Sequence, residues 1–311
     1  MGTQLWLRLL SVVMLMATPP AHAQTSPATA EALMRESGLW SHLKNIGPQV
    51  RESFIAGMTN LDASVDADEV TRLSEVIDQA FAPERLRAQA LTTFEQDADP
   101  RHLSALQRWF ASPTGRAVTR LEEAAAATQA DTRSILQQGG KLFAELPAER
   151  QALLEELVSV TRSSESMVRL TLNTALAVCR GIGSVRPDPR GPTEQDMRAA
   201  FEAQRPQLQR AFMALALASF SMAYADLPTG ELARYVGFLK ADPGQHFTGL
   251  NLRALDAAMV DATQEMGRRM VMPPGQTRTG PCLWRSGFAG FSVATAGGHG
   301  RLSRGCGGLS R

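Results

Sequence analysis

LQRWFASPTGRA, residues 106–117, returns 129 positions later as YVGFLKADPGQH, residues 235–246. The shift sets Leu103 on Leu232, Leu106 on Tyr235, Trp109 on Phe238, Phe110 on Leu239, Gly115 on Gly244, Thr119 on Thr248 and Leu121 on Leu250. Upstream it sets Leu86 on Leu215, Leu91 on Phe220 and Asp97 on Asp226. Ungapped agreement of this kind over ~35 residues marks an internal duplication. The chain therefore reads as two copies of one helical unit, 24–145 and 146–270.

Within the unit, an amphipathic helix ends in aromatics, the chain turns, and a glycine sits in the first turn of the next helix. Ser112 and Pro113 form a helix start, an N-cap followed by a proline whose missing N–H costs nothing there. A Ser-Pro-x-Gly tetrad at a helix N-terminus also suits an anion. The second copy separates these readings: it keeps the aromatic and Gly244 but has Ala241 in place of Ser112, and its proline moves one position, to Pro243 beside Asp242. Packing and turning need what recurs, and chemistry would need what varies. Trp109, Phe110, Tyr235 and Phe238 are accordingly read as core at helical spacing, and Gly115 and Gly244 as points of close helix approach.

On Leu103, Leu106, Trp109, Phe110, Ser112, Pro113 and Gly115 in the first copy, and Leu232, Tyr235, Phe238, Asp242 and Gly244 in the second, the chain resembles the bacterial family known as domain of unknown function 2059. The resemblance spans about residues 30 to 270. It implies an exported, envelope-located helical protein of Gram-negative type, and it implies no reaction.

Elsewhere the apolar spacing is helical and no run alternates as a half-buried strand does. Helices are expected near 29–37, ending at Gly38, then near 40–58 and 67–81, and from Pro83. Asp99-Pro100 opens another, Ser112-Pro113 a long one over 113–145, and Pro147, Ser163 and Thr193 three more, the last through a capping box. GIGSVRPDPRGPTEQ, residues 181–195, is the longest expected loop of the body. AFMALALASFSMAYA, residues 211–225, lacks any charge but is shorter than the ~20 residues that cross a bilayer, so a helix buried on all sides is expected. The fold class that follows is all-α, a tandem duplication of about ten helices without a β-sheet.

The first 23 residues hold one charge, Arg8, then an apolar run, Pro19-Pro20 and small residues at Ala21 and Ala23. They read as a secretory signal cut after Ala23, giving a periplasmic mature chain without a transmembrane segment. At the other end no acidic residue follows Glu265, while seven arginines do, and 281–311 holds eight glycines. The body then keeps 24 basic against 31 acidic residues, a net charge of −7. Residues 271–311 read as a disordered basic Gly/Arg-rich tail. With 3 lysines against 29 arginines in the chain, strings such as GRLSRGCGGLSR suit GC-rich DNA read out of frame, so a frameshifted or neutral extension is favoured over a nucleic-acid arm. Three cysteines, Cys179, Cys282 and Cys306, form no regular disulfide set.

Chemistry is scarce. Histidines stand at 22, 42, 102, 246 and 299 without metal-ligand spacing, and His102 and His246 flank the repeated joint on opposite sides and are expected to face solvent. There is no Gly-x-Ser-x-Gly elbow. Gly139-Gly140-Lys141 lacks the earlier glycine of a phosphate loop, Ile135 standing there, and reads as a break between helices. The pairs Glu122-Glu123 and Glu155-Glu156 read as solvated. No catalytic residue, cofactor, metal or nucleic-acid partner is expected. The favoured function is a binding, scaffold or quality-control module for an envelope protein. The alternatives are a carrier holding a small apolar ligand near Phe212, Met213, Phe220, Met222 and Tyr224, or an enzyme whose site forms across the copies.

Overall fold

A computed structural model describes residues 27–61, 67–128, 131–185 and 193–271. The stretch read as a secretory signal, the stretch read as a basic tail with Cys282 and Cys306, and most of the proline-rich stretch before Thr193 lie outside the described residues. Those described are all-helical, without a strand: α1 (Pro27–Glu36), α2 (Leu39–Leu61), α3 (Ala67–Ala80), α4 (Pro83–Asp97), α5 (Pro100–Ala111), α6 (Pro113–Ala127), α7 (Thr132–Glu145), α8 (Ala148–Val160), α9 (Ser163–Val185), α10 (Glu194–Ala223), α11 (Thr229–Lys240) and α12 (Asp242–Val271). No helix among them is long and apolar enough to cross a membrane.

The boundaries sit where local chemistry puts them. Asp99 caps α5 by accepting from the Arg101 N–H, and Thr193 and Asp196 close a reciprocal capping box at the start of α10. Gly38, at φ 76°, lets the chain turn between α1 and α2, because glycine meets no Cβ penalty there. Arg162 takes φ 51° between α8 and α9. Both following helices, α2 and α9, are 23 residues long. Helices α5 and α11 are 12 residues each, and both their bounds differ by 129.

Three expectations from the sequence are corrected here. The stretch 113–145 is two helices, because Asp131 caps a new start by accepting from the N–H groups of Arg133 and Ser134. Gly139 and Gly140 do not break a helix: both lie inside α7, and a Cβ on Gly139 would stand 2.2 Å from the Ala218 carbonyl oxygen, so the missing side chain lets α7 lie against α10. The expected loop from 181 begins late, since α9 runs to Val185. Its Gly181 meets α12 where a Cβ would stand 2.2 Å from the Gln264 carbonyl oxygen. In both helices, packing against a neighbour outweighs the ~1 kcal/mol helix cost of a glycine.

Apolar side chains gather in two cores, and neither respects the boundary between the halves of the sequence. The first is built from α1 to α5 and completed by Phe247, Leu250, Ala254, Ala258, Ala262 and Met266 of α12. The second joins Leu154 and Leu157 of α8 and Tyr224, Leu227, Leu232, Val236 and Leu239 near α10 and α11 to Val118 of α6, with Phe143 of α7 against it. Each half thus sends its last helices into the other half's core. The crossing points are the α5–α6 and α11–α12 joints.

The charge-free run 211–225 occupies the end of α10, which packs on α7, α8 and α9. It is not buried on all sides: Phe212 and Tyr224 are buried, whereas Met213 is 38% exposed. Among the described residues, nothing covers Met213 on that face of the helix. Arg268 and Arg269, counted above with the basic end, belong to α12, where both are paired with Glu265.

Candidate functional site

The two joints lie beside one another, Trp109 of the first stacked on Phe238 of the second. In each, one residue is both the C-cap of the incoming helix and the position before the outgoing one: Ser112 at φ −71°, ψ 159° and Ala241 at φ −73°, ψ 154°. The Ser112 hydroxyl accepts from the Gly115 N–H at 3.0 Å and donates to the Trp109 carbonyl at 2.6 Å. Ala241 has no such group. On the far side of each turn a side chain covers an exposed carbonyl, Arg116 donating to Ala111 and Gln245 to Leu239 at 2.6 Å. Glycine is required at the third helical position of both. A Cβ on Gly115 would lie 2.1 Å from the Trp109 carbonyl oxygen, and one on Gly244 would lie 2.1 Å from that of Phe238.

The aromatics that precede these turns pile on one another. Trp109 stacks on Phe238 with centroids 4.1 Å apart and planes within 3°, and it also lies parallel to Tyr235 at 6.0 Å. Phe110 meets Phe247 edge-on at 5.0 Å. Leu106 and Leu232 are buried, in the first and second core respectively, and Leu103 packs half-buried on the first. Phe238 touches both cores. Pro113 is the first residue of α6, and Asp242 is exposed at the start of α12. The residues singled out by the repeat therefore come together, as packing and capping groups.

Beside the stack lies a polar cluster. The chain has two tyrosines, and both donate to one oxygen, Oε1 of Glu122, Tyr224 at 2.6 Å and Tyr235 at 2.8 Å. This corrects the expectation that Glu122 is solvated. Burial pushes the Glu122 carboxyl above its ordinary range, while the two phenols pull it back. Burial, with the adjacent carboxylate, raises both phenols well above theirs, so they remain protonated donors. One further link ties the halves, Thr114 donating to Glu231, and within the second half the buried Arg150 donates to the Tyr224 carbonyl at 2.6 Å and to Thr229 at 3.1 Å. Arg150 thereby places a positive charge at the C-terminus of α10, where the helix dipole favours it.

His102 and His246 do not face solvent as the sequence suggested. Their rings lie 5.0 Å apart, the His102 side chain is 14% exposed, and His246 Nε2 accepts from the Asp99 N–H at 3.0 Å. They occupy opposite sides of different joints in sequence, and the exchange of α12 into the first core brings them face to face. His102 Nε2 is 3.6 Å from Asp242 Oδ2. Among the described residues, no three His, Cys, Asp or Glu side chains gather as metal ligands. Cys179 is half-buried, and its thiol is pushed up to about 11, chiefly by burial. That is the reverse of an activated nucleophile.

A groove of about 470 Å³ opens away from the joints, lined by Val76, Gln79, Glu265, Arg268 and Arg269. Its arginines are both bonded to Glu265, and Arg269 also to Gln79. Of the side chains read as an apolar-ligand lining, Tyr224 is tied to Glu122 in the second core and Met213 is exposed. No sequence signal pairs Glu122 with tyrosines 102 and 113 residues away, or His102 with a histidine 144 residues away. Comparison with family models, curated proteins and solved structures finds no match to this chain.

Proposed function

We propose that this chain is an exported, non-catalytic helical module of the cell envelope, serving to bind or scaffold another envelope protein, and that it arose by duplication of the unit that resembles domain of unknown function 2059. One observation carries the non-catalytic reading: the polar groups beside the joints are bonded to one another across the halves. Glu122 Oε1 holds both phenols, Thr114 holds Glu231, and His246 Nε2 holds the Asp99 amide. Each link joins an element of one half to an element of the other, so these groups serve to hold helices together. The equal lengths of α5 and α11, the two joints with matching backbone angles and the glycine contact common to both support the duplication.

Intact-mass measurement of native chain recovered from the periplasm, followed by cross-linking of the envelope, tests the reading. A mature chain beginning at Gln24 and a reproducible cross-linked envelope protein are expected. Retention of residues 1–23 overturns export, and turnover of ester, peptide or phosphate substrates by the purified chain overturns the non-catalytic role.

A further inference from the structure

We propose that His246 is an acid-released latch, fastening the start of α12 to the N-terminus of α5 when neutral and letting go when protonated. The geometry requires a neutral ring. His246 Nε2 accepts the Asp99 N–H at 3.0 Å, so it presents a lone pair, and the single ring proton sits on Nδ1. A proton on Nε2 converts the acceptor into a donor aimed at another donor, and that bond cannot persist. Asp99 is itself the N-cap of α5, its carboxylate accepting from the Arg101 N–H. Loss of the latch therefore loosens the α5 start at the point where α12 enters the first core.

The surroundings set how the latch responds. Burial lowers the His246 value first, and the neighbouring His102 and Arg253 lower it further, against the opposing pull of Asp99 and Asp242. From α5, His102 stands at 5.0 Å, where two charged rings would repel. Arg101 is bonded to Asp99. Within α12, Asp242 is mostly exposed, and Arg253 is bonded to Asp97 at the end of α4. Lys240, closing α11, is bonded to Glu156 of α8. Because the folded value is depressed, the stability that the neutral ring contributes is present above the ordinary histidine value of about 6.5 and is lost as pH falls towards the lowered folded value. Burial also lowers the value of His42, a second histidine whose charge changes with acid, so the readout has to be local.

Hydrogen exchange of the full chain, corrected for the intrinsic pH dependence and read on peptides covering Asp99 and the start of α12, supplies it. Between about pH 7.5 and about pH 5 the native chain should lose at least fivefold protection at the Asp99 amide. His246→Gln keeps an amide oxygen that can accept the same N–H and does not titrate, so its protection should hold at both values. His42→Gln should respond as the native chain does. An unchanged native chain, or an equal loss in His246→Gln, overturns the latch. If His246→Gln fails to fold, ring-nitrogen NMR of the native chain decides: a protonated Nε2 at about pH 7.5 overturns it, and an unprotonated Nε2 that gains its proton as the Asp99 amide is released supports it.

Discussion

Trp109 and Phe238 stack face to face with ring centroids 4.1 Å apart, and they are the two positions that the 129-residue shift sets on one another. Positions matched in sequence are thereby brought into direct contact in the fold. Around that contact, α5 packs on α12 and α11 on α6, while α7 lies along α10 and α12 along α4. The stack is where the crossing chains meet, which makes it the place to weaken if the halves are to be separated.

Trp109→Ala and Phe238→Ala are each expected to lower stability by about 3 kcal/mol, the range for large aromatic truncations. A double-mutant cycle should leave a coupling of about 1 kcal/mol, the share of a stacked pair beyond its area. Urea unfolding of the full chain measures both. Purely additive losses would show that the rings pack independently.

The glycines divide sharply by environment. Gly115→Ala and Gly244→Ala place a methyl 2.1 Å from a backbone carbonyl oxygen that has no freedom to rotate away. Each should cost about 2 kcal/mol or more through displacement of the joint. Gly140→Ala, in the middle of α7 with nothing within 4 Å of the new methyl, should instead stabilise by about 0.5–1 kcal/mol. Thermal or urea midpoints of the three variants check the contrast.

The helices were legible because their punctuation is local. Pro83, Asp99-Pro100, Ser112-Pro113 and Thr193 with Asp196 each announce a start within four residues, and each start is where the sequence puts it. The break at Asp131 is as local, but an alanine-rich flank hid it. Which core α12 enters was not legible, since its apolar stripe fits either. Everything that depends on the exchange was hidden with it, including the His102–His246 contact and the bonds from both tyrosines to Glu122. Gly139 and Gly140 show the same limit. They are adjacent and identical in sequence, and only the place where α10 crosses makes one indispensable.

Glu122 should reveal itself by pH. Its folded carboxyl is raised above the unfolded value, chiefly by burial, so the folded state binds the proton more tightly and stability attributable to this group falls as pH rises through that window. Glu122→Gln keeps an oxygen to accept the phenols without the charge. Relative to the native chain, the variant should gain stability between about pH 4 and about pH 7. Paired urea titrations across that range test the sign, and a difference that is flat or runs the other way contradicts a buried carboxylate here. Tyr224→Phe, which removes one of its two donors, should cost about 1.5–3 kcal/mol above the window, where the carboxylate is charged.

Ser112 and Ala241 offer the most direct comparison of the joints. Their backbone angles agree within 5°, and each stands immediately before a helix whose third residue is a glycine. Only Ser112 satisfies that glycine's N–H from its side chain, at 3.0 Å, while also bonding the carbonyl that ends α5. Ser112→Ala should therefore cost about 1 kcal/mol, the worth of an N-cap. The reverse change, Ala241→Ser, introduces a hydroxyl at an exposed position with the geometry already in place. It should stabilise the chain by a similar amount, about 0.5–1 kcal/mol, by supplying the Gly244 N–H with a partner. Equilibrium unfolding of the two single variants measures each effect. A neutral Ala241→Ser would show that the second joint, despite its matching angles, holds the N–H of Gly244 where a serine hydroxyl cannot reach it.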